Sequence, residues 1–364
     1  MSDDLLDTRD ADASAAYLLD HVAAAERAGH RRLRAAADHF HLPVDARIDD
    51  RTAARLDATM RATVASVEAE IRDHAARLLI SRGQAEVAQG LRMVPSTFGR
   101  VRRAGLFRDP ALFGELFARV RLDTIARALP TMVIEVGDRP TMIARLAQAS
   151  DRLVSAAAIA MLAAQARRGS VIDGGVAAVD LVRPLHARIA WWVAAALRES
   201  VPAGEAIGAL DAALAEAVRR AIDMQGELVP LEIAAMRLAQ AIDAQGEEVP
   251  ALLTEAIGDG RLVLFVAFIA RASGLAFDRV RDLVIDTDGA RLWVVLRALA
   301  TDRATIARIG FALTEAEPLR DIEQFADRID SIMAVTPEAA RVALAPMALD
   351  AEYHAAMLAL GSAE

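Results

Sequence analysis

Residues 221–230 read AIDMQGELVP and residues 241–250 read AIDAQGEEVP, an echo at an offset of twenty. Each copy reads as one piece of helix-ending grammar: a helix runs out, a glycine turns the chain, and proline opens the next helix. Gly226 and Gly246 are thus expected to close helices, and Pro230 and Pro250 to open them. Short helical units that recur at small spacing point to helices stacked in an array.

Composition supports an all-α chain. Alanine, the strongest helix former, supplies about a fifth of the 364 residues, and aromatic residues only 4%. No Val/Ile/Thr-rich segment alternates with a period of two. Cysteine is absent, which excludes disulfides, thiol catalysis and cysteine-bound metals. All 42 basic residues are arginine, which fits codon bias in a GC-rich genome and carries no binding message by itself. The acidic start, MSDDLLDTRDADAS, lacks the pattern of a secretory signal. The apolar runs at 153–166 and 262–270 are too short to span a bilayer and read as buried core helices. A cytoplasmic, membrane-free protein is expected.

The net charge of −9 is unevenly spread: −5 over residues 1–50, +8 over 51–200 and −12 over 201–364. Four segments follow from this and from the breakers. Residues 1–14 read as a disordered leader. Residues 15–82 read as a helical hairpin, with a first helix from about Ala15 to Asp38 and a second from about Arg51 to Ser81. Leu56, Met60, Val64, Val67, Ile71, Ala75 and Leu78 stripe the second helix at close to the straight-helix period. That hairpin is a possible homodimer contact, or a cap on the array. Residues 83–200 form the first, glycine- and proline-cut part of the array, and residues 201–364 its regular part. Glycines 226, 246, 260, 274 and 289 punctuate the regular part, with Val–Pro pairs at 201–202, 229–230 and 249–250 beginning helices.

HARIAWWVAAALRE at 186–199 and GRLVLFVAFIARASGLAFDRVRDLVIDTDGARLWVVLRAL at 260–299 resemble a bacterial family known as domain of unknown function twenty-three thirty-six. The resemblance covers about residues 80–320. It implies antiparallel helical hairpins stacked in a HEAT- or armadillo-like array, and it implies neither an activity nor catalytic residues.

The candidate chemistry is sparse. His39 and His41 in DHFHLPVD, beside Asp38, Asp45, Asp49 and Asp50, could hold a divalent cation, but a polar interhelical turn explains them better. Trp191 and Trp192, with His186, Arg188 and Arg198, form the densest constellation. Adjacent tryptophans on a helix point about 100° apart, so the favoured expectation is a central helix covered on two sides. The alternative is an aromatic and arginine surface for a partner peptide or a nucleic-acid base. Arg92, Arg100, Arg102, Arg103 and Arg108 crowd the stretch 92–108 around Phe98 and Phe107, a pattern that also occurs in single-strand binders. The acidic residues Asp282, Asp286, Asp288, Asp302, Glu315, Glu317, Asp321 and Glu323 read as helix caps rather than paired catalytic carboxylates.

The expectation is therefore a non-catalytic adaptor or regulator with a protein partner, contacted through Arg100, Arg102, Arg103, Arg188, Trp191 and Trp192. No catalytic residue, cofactor or metal is assigned. A nucleic-acid-binding or base-repair protein on the same scaffold is the alternative, and a metal-dependent hydrolase a weaker one.

Overall fold

The computed structural model describes residues 49–129, 140–172, 181–202, 204–226 and 229–350, with a few residues beyond. The expected leader, the first helix of the hairpin, His39 and His41 all lie outside the described residues. Chain contacts separate residues 1–53 from a compact unit over 54–364. Among the described residues there are sixteen α-helices and no strands, so the chain is all-α.

α1 (Asp50–Ser81) follows its stripe. Leu56, Met60, Val64, Val67, Ile71 and Ala75 are buried, but Leu79 is buried in place of Leu78. At 100° per residue Leu78 would have kept the stripe's direction, so burial of Ala76 and Leu79 turns the covered face round the helix near its C-terminal end. After α1 come α2 (Ala85–Met93), α3 (Phe98–Ala104) and the long α4 (Pro110–Ala128). Asp109 caps α4, accepting a hydrogen bond from the Leu112 amide at 2.8 Å, and Pro110 sits in its first turn.

α5 (Met142–Ala147), α6 (Arg152–Ile172), α7 (Arg183–Ser200) and α8 (Ile207–Gly226) complete the first half. The second half holds α9 (Leu231–Ile242), α10 (Glu248–Gly258), α11 (Leu262–Ser273), α12 (Phe277–Ile285) and α13 (Ala290–Ala298). It ends with α14 (Arg303–Ala316), α15 (Ile322–Ala334) and α16 (Pro337–Leu344). Asp302 and Asp321 cap α14 and α15, as read from their positions.

Two hydrophobic cores share the unit over 54–364. One is built from α1 to α3, the first half of α4, α7 and α8. The other takes the second half of α4, α5, α6 and α9 to α16. α4 thus joins both, with Leu112, Leu116 and Val120 in the first and Leu122, Ile125 and Leu129 in the second. α11 is the centre of the second core: every residue from Leu262 to Ala270 is buried. The run at 153–166 differs, since α6 buries Val154, Ala158, Met161 and Ala164 but exposes Leu153, Ile159 and Leu162.

Neighbouring helices pair at α7–α8, α10–α11, α11–α12 and α14–α15. Other pairings leap along the chain: α6 packs on α9, α13 on α16, and α4 on α11, α12 and α14. The expected division near residue 200 falls between α7 and α8, which pack on each other within one core.

The echo resolves into two different junctions. In the first copy α8 runs on as helix to Gly226, and Pro230 is the N-cap of α9. In the second, the helix stops early: Asp243 takes the left-handed conformation, with φ 46°, as the C-cap of α9. Gly246, with φ 27°, lies in the turn that follows, and Pro250 is already the third residue of α10. Gly246 therefore closes no helix and Pro250 opens none. Gly289 also differs from its reading, being the N-cap of α13 rather than a helix end.

Candidate functional site

The tryptophan pair lies on the outside. α7 buries Leu185, His186, Ile189, Ala190, Val193, Ala194 and Leu197, a broad arc packed on α3 and α8. At 100° per residue, positions 191 and 192 fall on the remaining arc. Trp191 is 44% and Trp192 37% exposed. The expectation of a helix covered on two sides is corrected: α7 is covered along one arc only.

The structure brings the arginine-rich stretch beside this helix. α3 packs on α7, and Arg100 meets Glu199 at 3.4 Å. The N-terminus of α3 is anchored by the buried Glu68 of α1, whose Oε2 accepts from the Thr97 amide at 2.9 Å and the Thr97 hydroxyl at 2.8 Å. Arg102 pairs with Asp57 at 3.0 Å, Arg188 with Asp109, and Arg198 with Asp211 at 2.8 Å. Arg103 is exposed and makes no ion pair among the described residues. Such surface pairs are worth about 0–1 kcal/mol each, yet they place a carboxylate beside each of Arg100, Arg102, Arg188 and Arg198.

The interleaved aromatics do not form a stacking platform. Phe98 and Phe107 are buried with ring centroids 6.0 Å apart, and the Arg61 guanidinium lies 4.5 Å above the Phe98 ring. They hold α3 against the first core. His186, also buried, is driven down to about 4 by desolvation, which makes it a neutral core residue.

A second constellation was missed in the sequence. Glu115, Arg119, Asp123 and Arg127 recur every fourth residue along α4, a row that winds slowly round the helix. Glu115 accepts from Arg119 at 2.6 Å and from Arg281 of α12 at 2.7 Å. Arg119 also approaches Glu232 of α9 at 3.8 Å, and Glu232 pairs with Arg168 of α6. Against the burial that would raise it, Arg119 and Arg168 hold Glu232 down to about 2. A chain of alternating charges therefore crosses four helices where the two cores meet. The i, i+4 spacing in ELFARVRLDTIAR was the available signal.

At one end of this chain is a cleft of about 240 Å³. Asp123 and Arg127 from α4, Gln165 and Arg168 from α6, and Arg261 at the start of α11 supply its polar lining. Burial pushes the Asp123 carboxyl upward, past the opposing pull of Arg168, Arg119 and Arg127. Among the described residues, no cluster of three or more His, Asp or Glu side chains is placed to hold a metal ion. No described helix is long and apolar enough to cross a membrane.

Neither a curated protein nor a solved structure matches the chain. A bacterial family described as an uncharacterised protein conserved in bacteria, DUF2336, matches residues 121–345. The match starts within α4, later than the resemblance read from the sequence, and extends through α16. It takes in every buried residue of the second core, and also α7 and α8 of the first. With more than half of its length under that match, the chain belongs to the DUF2336 family of bacterial proteins.

Proposed function

We propose that the protein is a non-catalytic adaptor or regulator of the bacterial cytoplasm, built on a stacked, HEAT-like helical scaffold, that docks a protein partner on the outer arc of α7. The observation that carries this reading is the joint exposure of Trp191 and Trp192. Tryptophan is among the residues most often dominant in binding energy, and two side by side are costly to leave in water without a purpose. Carboxylates beside Arg100, Arg102, Arg188 and Arg198 favour a protein surface over a phosphate backbone, which rewards uncompensated positive charge. The exposed Leu153, Ile159 and Leu162 of α6 offer a further apolar contact.

A photo-crosslinking residue at position 192, used in the native cell, tests this. A discrete polypeptide adduct is expected, and it should disappear when Trp191→Ala is added while adducts from a probe at Leu153 persist. Loss of every adduct, with purified protein instead binding single-stranded DNA in a salt-sensitive way through the same tryptophans, would replace the adaptor with the nucleic-acid reading.

A further inference from the structure

The cleft at the end of the α4 charge chain gathers three guanidiniums, one carboxyl and one carboxamide. Arg261 is the N-cap of α11, and α11 has no side-chain cap. A cation at the positive end of a helix opposes the macrodipole, and the first-turn amides of a helix lack intrahelical partners. Leu262 and Val263, the first two residues of α11, line the cleft. One nitrogen of Arg261 donates to Gln165 Oε1 at 2.8 Å, while its buried Nε finds no acceptor. Buried donors are satisfied in the great majority of cases, so an orphan of this kind asks for an explanation.

Arg168, paired with Glu232, also lines the cleft, and Arg127 supplies a third guanidinium from the exposed side. Three guanidiniums and a helix N-terminus around one small cleft are the chemistry of oxyanion binding. The remaining group, Asp123, is out of place only for a fully deprotonated anion. In its ionised form, favoured by Arg168, Arg119 and Arg127 against the burial that raises its pKa, Asp123 repels sulfate but accepts a hydrogen bond from an oxyanion that keeps one proton, as hydrogenphosphate does at neutral pH.

We propose that the Asp123–Arg127–Gln165–Arg168–Arg261 cleft is a binding site for a protonated phosphate, with the guanidiniums and the α11 amides holding its unprotonated oxygens and Asp123 accepting from its P–OH. The site is separate from the α7 face and does not depend on the adaptor reading. Free inorganic phosphate and the phosphate monoanion of a small ester share this chemistry. They differ in pH response, because an ester loses its last proton near pH 6.

Isothermal titration of the full chain with inorganic phosphate, sulfate and glycerol phosphate at pH 7.5 and 5.5 tests the site. Phosphate is expected to bind at least tenfold more tightly than sulfate at pH 7.5. Glycerol phosphate is expected to match phosphate only at pH 5.5 if free phosphate is the natural ligand, and to exceed it there if an ester is. Arg261→Gln should abolish binding, while Asp123→Asn, which turns an acceptor into a donor, should erase the preference over sulfate and leave the chain folded. Equal binding of phosphate and sulfate, no binding of either, or an Asp123→Asn protein with its preference intact would overturn the proposal. The thermal transition of each variant separates loss of the site from loss of the fold.

Discussion

The Phe325 ring fills the space in which Gly310 would carry a side chain: a Cβ built on Gly310 would fall 2.0 Å from Phe325 Cζ. Gly310 lies within α14 and Phe325 within α15, and the ring continues onto Trp293 of α13 with centroids 4.9 Å apart. One missing methyl thus lets three helices meet through an aromatic pair. Gly310→Ala would gain about 1 kcal/mol of helix propensity but displace Phe325 from Trp293. An aromatic pair is worth about 0.5–1.5 kcal/mol beyond its burial, and the ring's packing is lost with it. Urea unfolding should show Gly310→Ala to be neutral to destabilising in the natural chain, and stabilising by about 0.5–1 kcal/mol when Phe325 is alanine. Additive effects of the two changes would refute this contact.

Arg121 and Glu317 form a buried ion pair at 2.8 Å that fastens α4 to the end of α14. Arg320, its neighbour, donates to the Val284 and Asp286 carbonyls at 2.6 and 2.7 Å, with burial pushing its pKa down. Removing one member of a buried pair leaves the other uncompensated, at a cost of about 3–5 kcal/mol. Glu317→Leu should therefore destabilise by about that amount, and Arg121→Met added to it should restore most of the loss. Denaturant midpoints of the two proteins check the pair; a double variant weaker than the single would contradict it.

His186 links stability to pH. Its imidazole is buried, its Nδ1 has no hydrogen-bond partner, and desolvation lowers it from 6.5 to about 4. The folded protein holds the neutral form, so the unfolded chain takes up a proton first as pH falls. This contribution is present above 6.5 and is lost between 6.5 and about 4. The expected loss from pH 7 to pH 5 is about 2 kcal/mol, measured by chemical denaturation, and His186→Leu should flatten that slope. Glu115 and Glu232, both lowered, lose their contribution as pH falls below the ordinary carboxylate value and add to the decline there.

Glu68 controls the α3 anchor. Glu68→Ala would leave the buried Thr97 amide without its acceptor, at about 1–3 kcal/mol. Hydrogen exchange should accelerate at Thr97 and through α3, with the amides of α13 and α14 unchanged. Uniform acceleration across both cores would mean that Glu68 does not act locally.

Much of the fold was legible because it rests on local rules. The alanine-rich composition, the stripe on α1, the caps at Asp302 and Asp321, and the buried run of α11 depend on neighbours three or four residues away. The candidate sites were less legible. Trp191 and Trp192 could be named from sequence, but their exposure depends on how many helices cover α7. The Arg100, Arg102 and Arg188 charges could be counted, but not the distant carboxylates that meet them. The phosphate cleft draws on α4, α6 and α11, and no local pattern joins those segments.

The repeated AIDxQG run separates the two kinds of information most clearly. Sequence alone determined that both copies leave a helix and approach another, because the same residues carry the same propensities. Tertiary structure decided where each helix ends. Asp223 stays helical and meets Arg183 of α7 at 3.0 Å, while Asp243 turns left-handed and meets Arg271 of α11 at 2.6 Å. A left-handed aspartate costs only about 1–2 kcal/mol, within the range that packing and a well-placed partner supply. Local preference was therefore too weak to fix the junction, and the surrounding helices settled it.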